Sequence, residues 1–475
     1  MAYYCYILEC ANGAYYTGWT KDPGRRLRQH NAGSGARYTR INGPARLVYV
    51  ESVPDHISAL KREAEIKGWS HKKKEKFVHN TSQNLARQFQ GGVCQREPIQ
   101  PGQNFTVVAP GRINLLGEHV DYNDGIVLPV AIDREVRVEV TALTEAVVRL
   151  HALDLGEHSE FSLDNLEEKK DSGEGPLPRF AYYPAGVAWA LLQAGLGVRG
   201  MEASYSSTIP IGAGLSSSAA VEMGFALAWQ ILGDWEATGM ELAQLCQQAE
   251  NHFVGVQSGL MDQFASCFGV AGHALQFDTR SLEWSTVKLP EDVAIVIADS
   301  SVRRSLAGSA YNDRRNDCEE AARLLKNWLP GITSLRDVSQ VELEQFLPNL
   351  PERVGKRARH VVDEIERVRQ ATQHLSQGNT RAFGQLMYDS HNSLRDLYQV
   401  SCPELDALVE IAAGLPGCLG SKLSGAGFGG CTVSLVKKEL AGEFMTALGD
   451  LYLEQTGKQA HIYQCSATQG ARRVN

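Results

Sequence analysis

Apolar runs of strand length alternate with longer amphipathic stretches through most of the chain. FTVVAP (105–110) and VAIVIAD (293–299) have the nearly continuous apolar character of buried strands, whereas DEIERVRQATQHL (363–375) places its apolar residues at helical spacing. Strands and helices therefore follow one another along the sequence. This pattern predicts a mixed α/β chain of the α+β class.

The N-terminal end has the pattern of a small β-structure. YYCYILEC (3–10) and GAYYTGWT (13–20) are rich in aromatic and β-branched residues, and Asn12-Gly13 between them is a dipeptide favoured in tight hairpins. We expect two paired strands joined by a turn at that dipeptide.

A helix is predicted further along the same region. ISALKREAEIKG (57–68) places Ile57, Leu60 and Ala64 at helical spacing on one face. Gly68 follows the last turn, where glycine commonly ends a helix.

The stretch between Asn80 and Gln103 is polar, rich in Gln, Gly and Pro, and shows no sustained periodicity. It predicts a boundary, with a first domain at 1–80 and a linker, or the first turns of the second domain, at 81–103. The 475-residue length also favours more than one packing unit.

Charge separates the same two parts. Residues 1–80 hold 14 Lys and Arg against 7 Asp and Glu, so they carry +7 of a formal net charge of −8 and leave −15 for the rest. A basic small module suits a nucleic-acid partner, and an acidic large one does not.

The ten cysteines are scattered without a C-x-x-C pair that could clamp zinc. No apolar run approaches the roughly 18 residues that span a bilayer, and the N-terminus lacks a basic leader. We therefore expect reduced thiols, no membrane partner and a cytoplasmic location.

A possible phosphate cradle lies at PIGAGLSSSAAVE (210–222), after the strand-like SYSSTI. Glycines let backbone N–H groups approach an anion, serines can cap the following helix and bind phosphate oxygens, and the helix N-terminus adds positive charge. An ordinary glycine-rich turn is the alternative. G-x-x-x-x-G-K-[ST] is absent from the sequence, which excludes the P-loop class.

Charged groups cluster in two further segments. APGRINLLGEHVDYNDG (109–125) offers Glu118 and Asp121 for sugar hydroxyls and Arg112 for a phosphoryl group, although each charge taken alone is more often solvated. In VQSGLMDQFAS (256–266), Asp262 stands among apolar and small residues. It needs a partner or a proton there, as a catalytic base often does, and a structural pairing with an arginine is the alternative.

A fourth segment, SKLSGAGFGGCTVSLV (421–436), is dense in glycine and then strand-like. Such a loop can lie against a nucleotide or against another part of the backbone, or can be a bulged turn.

Together these four segments resemble the galactokinases of the GHMP small-molecule kinase superfamily, over residues 81–475. GRINLLGEHVDYNDG is close to the galactokinase signature, and PIGAGLSSSAA is the ATP motif shared across the superfamily. The resemblance implies phosphorylation of the anomeric hydroxyl of galactose by ATP with Mg²⁺. It also implies a ribosomal-protein-S5-domain-2-like N-terminal lobe at 104–300 and an α+β C-terminal lobe at 301–475.

The family's residue roles are implied at the matching positions. Asp262 and Arg112 would be catalytic. The sugar would be held by Glu118, His119, Asp121, Gly259 and Tyr311; the nucleotide by Gly212, Gly214, Ser216, Ser217 and Ser218; and Mg²⁺ by Ser218 and Glu250. The alternative for His119 is a purely structural role, as the hydrogen-bond partner of a buried group.

The fourth segment departs mildly from the family pattern, with Ala426 at a frequent glycine and Lys422 at a frequent arginine. The alternatives to a galactokinase are a galactose-sensing regulator tethered to nucleic acid and a kinase for N-acetylgalactosamine or arabinose. The oligomeric state is open, with a monomer favoured.

Residues 1–80 place paired tyrosines before a glycine (Tyr15-Tyr16-Thr17-Gly18), followed by the basic stretch GRRLRQH (24–30) and a predicted helix that carries Glu63. With these residues the region resembles the GIY-YIG endonucleases in their short form. Tyr4-Cys5-Tyr6 keeps only the tyrosine of the first motif. Family positions imply Tyr6, Tyr16, Arg26 and His30 around a phosphate and Glu63 on a divalent metal. The basic run HKKKEK (71–76) is either a solvated helix face or a phosphate contact.

Overall fold

The computed structural model describes residues 3–10, 14–21, 23, 26–27, 30, 45–80, 99–210, 212–303 and 307–474. By its internal contacts the chain divides into two compact units, residues 1–97 and 98–475. Each unit has its own apolar clusters, and each is described by itself.

The first unit contains a three-stranded antiparallel sheet with the order β2-β1-β3. Its elements are β1 (Tyr3–Cys10), β2 (Tyr15–Thr20), β3 (Ala45–Val53), α1 (His56–Lys67) and α2 (His71–Asn80). The predicted pairing of the first two strands is confirmed. The predicted turn at Asn12-Gly13 lies outside the described residues.

Helix α1 is present and ends at Gly68 as predicted, but its predicted apolar face is wrong. Leu60 is 44% exposed and Ala64 is also exposed, whereas Ala59 and Ile66 are fully buried. The side chain of Ile57 lies outside the description.

An arginine explains the difference. Arg62 lies between Ala59 and Ile66 on the helix and donates from Nη2 to Glu51 of β3 at 3.2 Å. The charged end is paired there, and its central carbon lies 5.4 Å from the centre of the Trp69 ring. The sheet-facing side of α1 therefore includes a residue that a count of apolar positions treats as polar.

The second unit combines three sheets with helices, which confirms the mixed fold class. Its strands are β4 (Asn104–Asn114), β5 (Ile126–Val127), β6 (Pro129–Ala142), β7 (Val147–Ala152), β8 (Glu157–Ser162), β9 (Met201–Ser207), β10 (His273–Asp278), β11 (Trp284–Lys288), β12 (Val293–Asp299), β13 (Cys418–Ser424), β14 (Cys431–Lys437), β15 (His461–Cys465) and β16 (Arg472–Arg473). Its α-helices are α3 (Tyr182–Gln193), α4 (Ser217–Gly233), α5 (Gly239–Gln248), α6 (Met261–Phe268), α7 (Ala307–Leu325), α8 (Gln340–Phe346), α9 (Glu352–Ser376), α10 (Thr380–Ser393), α11 (Pro403–Gly414) and α12 (Ala441–Thr456).

Two of these sheets frame the centre of the unit. One has six strands in the order β16-β4-β6-β9-β7-β8, and helix α4 packs on β4 and β6. The other has four antiparallel strands in the order β13-β14-β12-β15, and the glycine-dense segment 425–430 joins its hairpin strands β13 and β14. A third, smaller sheet has the order β11-β10-β5.

Among the described residues, no helix is both long and apolar enough to cross a bilayer. Each of the nine cysteines that the structure describes is a free thiol.

Candidate active site

The glycine and serine loop before α4 has a strongly curved backbone. Gly212 and Gly214 have φ of +68° and +77°, and Ser216 has φ of 57°, an unusual value for a residue with a side chain. The prediction that the serines cap the helix is wrong for Ser216, whose side chain makes no capping hydrogen bond. Its hydroxyl instead donates to Oδ2 of Asp262.

Arg112 is placed by an irregularity in strand β4. The register of β4 against β6 shifts between Pro110 and Arg112, and the intervening Gly111 lies against the glycine loop. A Cβ at Gly111 would be 2.7 Å from the carbonyl oxygen of Leu215, and the Arg112 N–H donates to that same oxygen at 3.1 Å. The strand and the loop are therefore fixed to each other.

Arg112 and Asp262 meet although 150 positions separate them in the sequence. Nε and Nη2 of Arg112 donate to Oδ1 and Oδ2 of Asp262 at 2.8 and 2.9 Å, and Nη1 donates to the carbonyl of Gly214 at 2.6 Å. Arg112 is 4% exposed, whereas the Asp262 side chain keeps 24% of its surface. This forked pairing supplies a partner for Asp262, as the sequence predicted, and an arginine partner is also what the structural alternative for Asp262 expects.

A cavity of about 210 Å³ opens beside this pair. It is lined by eight of the predicted site residues, which come from four separate segments of the chain: Arg112, Glu118, His119, Asp121, Glu250, Gly259, Asp262 and Tyr311. Of the remaining predicted residues, Ser216 bonds to Asp262 and Ser218 to Glu250. Gly212, Gly214 and Ser217 belong to the loop and the first turn of α4.

Asp121 and Gly259 are in close contact. A Cβ at Gly259 would lie 2.0 Å from Oδ2 of Asp121, so only glycine leaves space for this carboxylate. Burial, and then repulsion from Asp262, raises the pKa of Asp121 to about 7. Asp121 therefore changes its charge near neutral pH.

Both ring nitrogens of His119 have partners inside the protein. Nδ1 is 2.8 Å from the Tyr122 hydroxyl and Nε2 is 3.2 Å from the carbonyl oxygen of Ala426. Burial lowers the pKa of His119 to about 3, so the ring is neutral. Since a carbonyl only accepts, Nε2 carries the hydrogen and Nδ1 accepts from Tyr122. The hydrogen bonds expected from a purely structural role of His119 are therefore present. The ring also lines the cavity.

The hydroxyl of Tyr122 extends this arrangement into the core. It lies 2.8 Å from the Tyr398 hydroxyl, which lies 3.1 Å from Sγ of Cys318. Neither Tyr122 nor Tyr398 was among the predicted site residues, because an isolated tyrosine in an amphipathic segment gives no sign of its partner.

Lys422 is another residue that was not among the predicted site residues. It is fully buried on β13 and its Nζ lies 3.0 Å from Oε1 of Glu118. The available sign was a single lysine inside an otherwise small and apolar strand. The glycine turn that follows it lies against another part of the backbone: a Cβ at Gly425 would be 2.7 Å from the carbonyl of Gly214.

Oxygen atoms suited to a hard cation lie at the other side of the cavity. Oγ of Ser218 donates to Oε1 of Glu250 at 3.3 Å, and Oε2 of Glu250 accepts from Ser258 and, at 2.9 Å, from Gln263. The same Gln263 amide also donates to the buried Glu222 at 2.9 Å. A hydroxyl and a carboxylate side by side fit Mg²⁺, which takes one or two protein oxygens and completes its shell with water and phosphate.

The first unit also gathers its predicted residues. The Tyr6 hydroxyl is 2.9 Å from Nε2 of His30, and the ring of Tyr16 lies 5.0 Å from that of His30. Burial is the main cause that raises the pKa of Tyr6, and Arg26 is close enough to bond to its hydroxyl. Burial, and then Arg26, lowers the pKa of His30 to about 4. A neutral imidazole thus faces a protonated phenol.

Glu63 belongs to the same neighbourhood, since its charge contributes to the raised pKa of Tyr6. Its carboxylate pairs with Lys67 one helical turn later, at 2.7 Å. On α2, Lys72 and Lys73 are exposed. The basic run lies on this helix, and its two interpretations, a solvated face and a phosphate contact, both stay predictions.

Four family descriptions match the chain. They are the GIY-YIG catalytic domain at residues 2–76, the galactokinase galactose-binding signature at 97–142, the GHMP kinases N terminal domain at 182–270 and the GHMP kinases C terminal domain at 369–452.

Similar proteins of known name agree with these matches. A galactokinase from Roseiflexus sp. (strain RS-1) is 48% identical over 368 residues, which is 78% of this chain and 92% of that protein. A galactokinase from Homo sapiens is 42% identical over 382 residues, 79% of this chain and 94% of that one.

Solved structures show the same relationship. The galactokinase of Lactococcus lactis, crystallised with galactose, superposes with a TM-score of 0.74 at 34% identity and covers 78% of this chain and 95% of its own. The mevalonate kinase of Methanococcus jannaschii, at 19% identity and a TM-score of 0.55 over 78% of this chain and all of its own, shares the fold alone. From residue 98 onward the chain has the GHMP kinase fold, and it belongs to the galactokinase family, with a GIY-YIG domain at its N-terminus.

Proposed function

We propose that the second unit transfers the γ-phosphate of ATP to the anomeric hydroxyl of galactose, giving galactose 1-phosphate and ADP. The forked pairing of Arg112 with Asp262 at the wall of the cavity carries this proposal. It places a positive group and a carboxylate at one point, beside a curved loop suited to an anion. We further propose that the unit divides into lobes at 104–300 and 301–475, and that the protein is cytoplasmic.

Asp262 has the position of the group that serves the acceptor. Its carboxylate keeps surface toward the cavity, where it accepts a hydrogen bond from the anomeric hydroxyl and takes the proton as the new P–O bond forms. Arg112 holds Asp262 in place and stabilises the charge that develops on the transferred phosphoryl group. Ser216 fixes the second oxygen of Asp262.

The sugar is held by the groups around the rest of the cavity. Glu118 and Asp121 accept hydrogen bonds from hydroxyls, and Tyr311 and the backbone at Gly259 complete the wall. His119 contacts the sugar from the same wall while its nitrogens bind Tyr122 and Ala426.

The nucleotide phosphates lie at the loop formed by Gly212, Gly214 and Ser216, with Ser217 and Ser218 in the first turn of α4. A helix N-terminus with small residues suits this role. Ser218 and Glu250 would hold Mg²⁺, which would supply positive charge to offset that of the nucleotide phosphates. Gln263 and Ser258 orient the Glu250 carboxylate for it.

A coupled ADP-release assay with the full chain tests the activity and its specificity. We expect Mg²⁺-dependent turnover with galactose and little with N-acetylgalactosamine, arabinose or mevalonate. Preferred turnover of one of the other sugars would reassign the substrate. Galactose binding without any turnover would favour the sensor.

For the first unit we propose metal-assisted cleavage of nucleic-acid phosphodiester bonds. The observation that favours it is the cluster of Tyr6, Tyr16 and His30, with Arg26 and Glu63 near Tyr6. Tyr6 and His30 would handle the proton of the attacking water, and Glu63 would hold the divalent ion.

The test uses the full chain with branched and single-stranded DNA and Mg²⁺ or Mn²⁺. Glu63→Gln should abolish cleavage, whereas Asp262→Asn, which lies in the other unit, should leave it unchanged. Equal cleavage by wild type and Glu63→Gln would count against the proposal.

A further inference from the structure

Lys422 carries a charge in a place that excludes water. It is 0% exposed, and a buried ammonium is costly unless each of its hydrogens has an acceptor. Nζ lies 2.6 Å from the carbonyl of Leu423, 3.3 Å from that of Asn114 and 3.0 Å from Oε1 of Glu118. All three hydrogens are used, and only Glu118 among these acceptors carries a charge.

The two oxygens of Glu118 are in different situations. Oε1 accepts from Lys422 and, at 2.9 Å, from the backbone N–H of Gly425, so both of its lone pairs are occupied. Over the described part of the chain, no donor bonds to Oε2. Glu118 is only 2% exposed and lines the cavity, so Oε2 is the oxygen left for a hydroxyl inside it.

The same lysine joins segments that belong to different parts of the site. Asn114 ends strand β4, which carries Arg112, and Glu118 follows in the galactose-binding signature. Gly425 begins the turn that packs against Gly214 in the phosphate loop. The position of Nζ therefore determines where Glu118 lies relative to the reacting groups.

We propose that Lys422 is a positioning residue for substrate selection: it holds Glu118 so that Oε2 accepts a hydrogen bond from a galactose hydroxyl. This inference rests on the proposed sugar kinase activity. Lys422 acts only through Glu118 and touches neither nucleotide nor sugar.

A double-mutant cycle on the full chain separates this role from simple support of the fold. Lys422→Met should lower galactose affinity at least about tenfold by calorimetry and raise the galactose KM, with the ATP KM within about twofold of wild type. In the Glu118→Gln background the same change should alter galactose affinity less than about twofold. A lysine that only supports the fold would lower affinity equally in both backgrounds.

Matched variants control for charge and folding. Lys422→Arg keeps the charge and should retain most of the galactose affinity. Lys437→Met removes an exposed lysine from the neighbouring strand β14 and should change nothing. Lys422→Gln keeps a donor without the charge and serves the same cycle if the methionine variant does not fold.

Two results would overturn the inference, and they are distinguishable. If Lys422→Met binds galactose as tightly as the wild type, or if the change lowers affinity equally in both backgrounds, only the proposed role of Lys422 is refuted. A wild-type chain that binds no galactose removes the proposed function and this inference with it.

Discussion

Gly259 leaves no space for a side chain beside Asp121, and this makes Gly259→Ala a sharp test of the sugar site. The added Cβ would lie 2.0 Å from Oδ2 of Asp121, whereas ordinary contact begins at about 3.4 Å. The carboxylate must therefore move by roughly 1.4 Å. Gly259 lacks a positive φ, so alanine fits its backbone and the expected effect is the displacement of Asp121 alone.

A misplacement of about 1 Å in a positioned group costs on the order of 10²-fold in rate, or about 2.7 kcal/mol of transition-state stabilisation. We expect kcat/KM for galactose to fall by that factor in a coupled ADP-release assay. The ATP KM should stay near wild type, because neither residue belongs to the loop at 212–218.

Gly442→Ala is the matched control, since a Cβ at that position in α12 meets nothing within 4 Å. It should have wild-type kinetics. An unchanged galactose KM and kcat in Gly259→Ala would refute the reasoning, and so would an equal loss of galactose and ATP affinity.

Three further predictions concern the carboxylates of Asp262, Asp121 and Glu364. Asp262→Asn should abolish sugar phosphorylation while nucleotide affinity, measured by calorimetry, stays nearly intact; collapse of that affinity would contradict the role. Because the pKa of Asp121 is about 7 and its ionised form accepts hydroxyl hydrogens, kcat/KM for galactose should rise between pH 6 and 8, and Asp121→Asn should lose that limb. Glu364 accepts hydrogen bonds from the Gly117 N–H and from Arg367. Burial alone would raise the pKa of Glu364, but the nearby positive charge of Arg367 outweighs burial and lowers the pKa to about 2. The ionised Glu364 carboxylate therefore stabilises the fold above about pH 4.3, and this contribution is lost as the pH falls toward 2. The Tm of Glu364→Gln should consequently fall less over this pH range than the Tm of the wild type. An equal fall in both proteins would contradict this prediction.

The pattern of apolar residues predicted strands correctly where both faces of the strand are buried. The continuous apolar runs at 105–110 and 293–299 are strands β4 and β12, since a strand covered on both faces needs apolar residues throughout. Helix α1 buries a different face from the one that its apolar residues predicted. Its sheet-facing side includes the paired Arg62, and no apolar count identifies a paired arginine.

Resemblance and chemistry predicted most of the charged residues that line the cavity, because phosphoryl transfer to a sugar demands particular groups. A lone carboxylate at Asp262 required a partner, and Arg112 is that partner. Lys422 and Gln263 were missed since their roles depend on partners far away in sequence, Glu118 and Glu222. Ser216 occupies the N-cap position of α4, but its backbone is left-handed and its hydroxyl donates to Asp262 instead of capping the helix.

We propose that Arg112 and Asp262 act on one hydroxyl and one phosphoryl group inside the cavity that they line. Phosphorus NMR of the full chain with galactose, ATP and Mg²⁺ tests it most directly, because it identifies the oxygen that receives the phosphate. We predict a single product phosphorylated at the anomeric oxygen, absent in Asp262→Asn. Phosphate on another hydroxyl, or the same product from Asp262→Asn, would contradict the account.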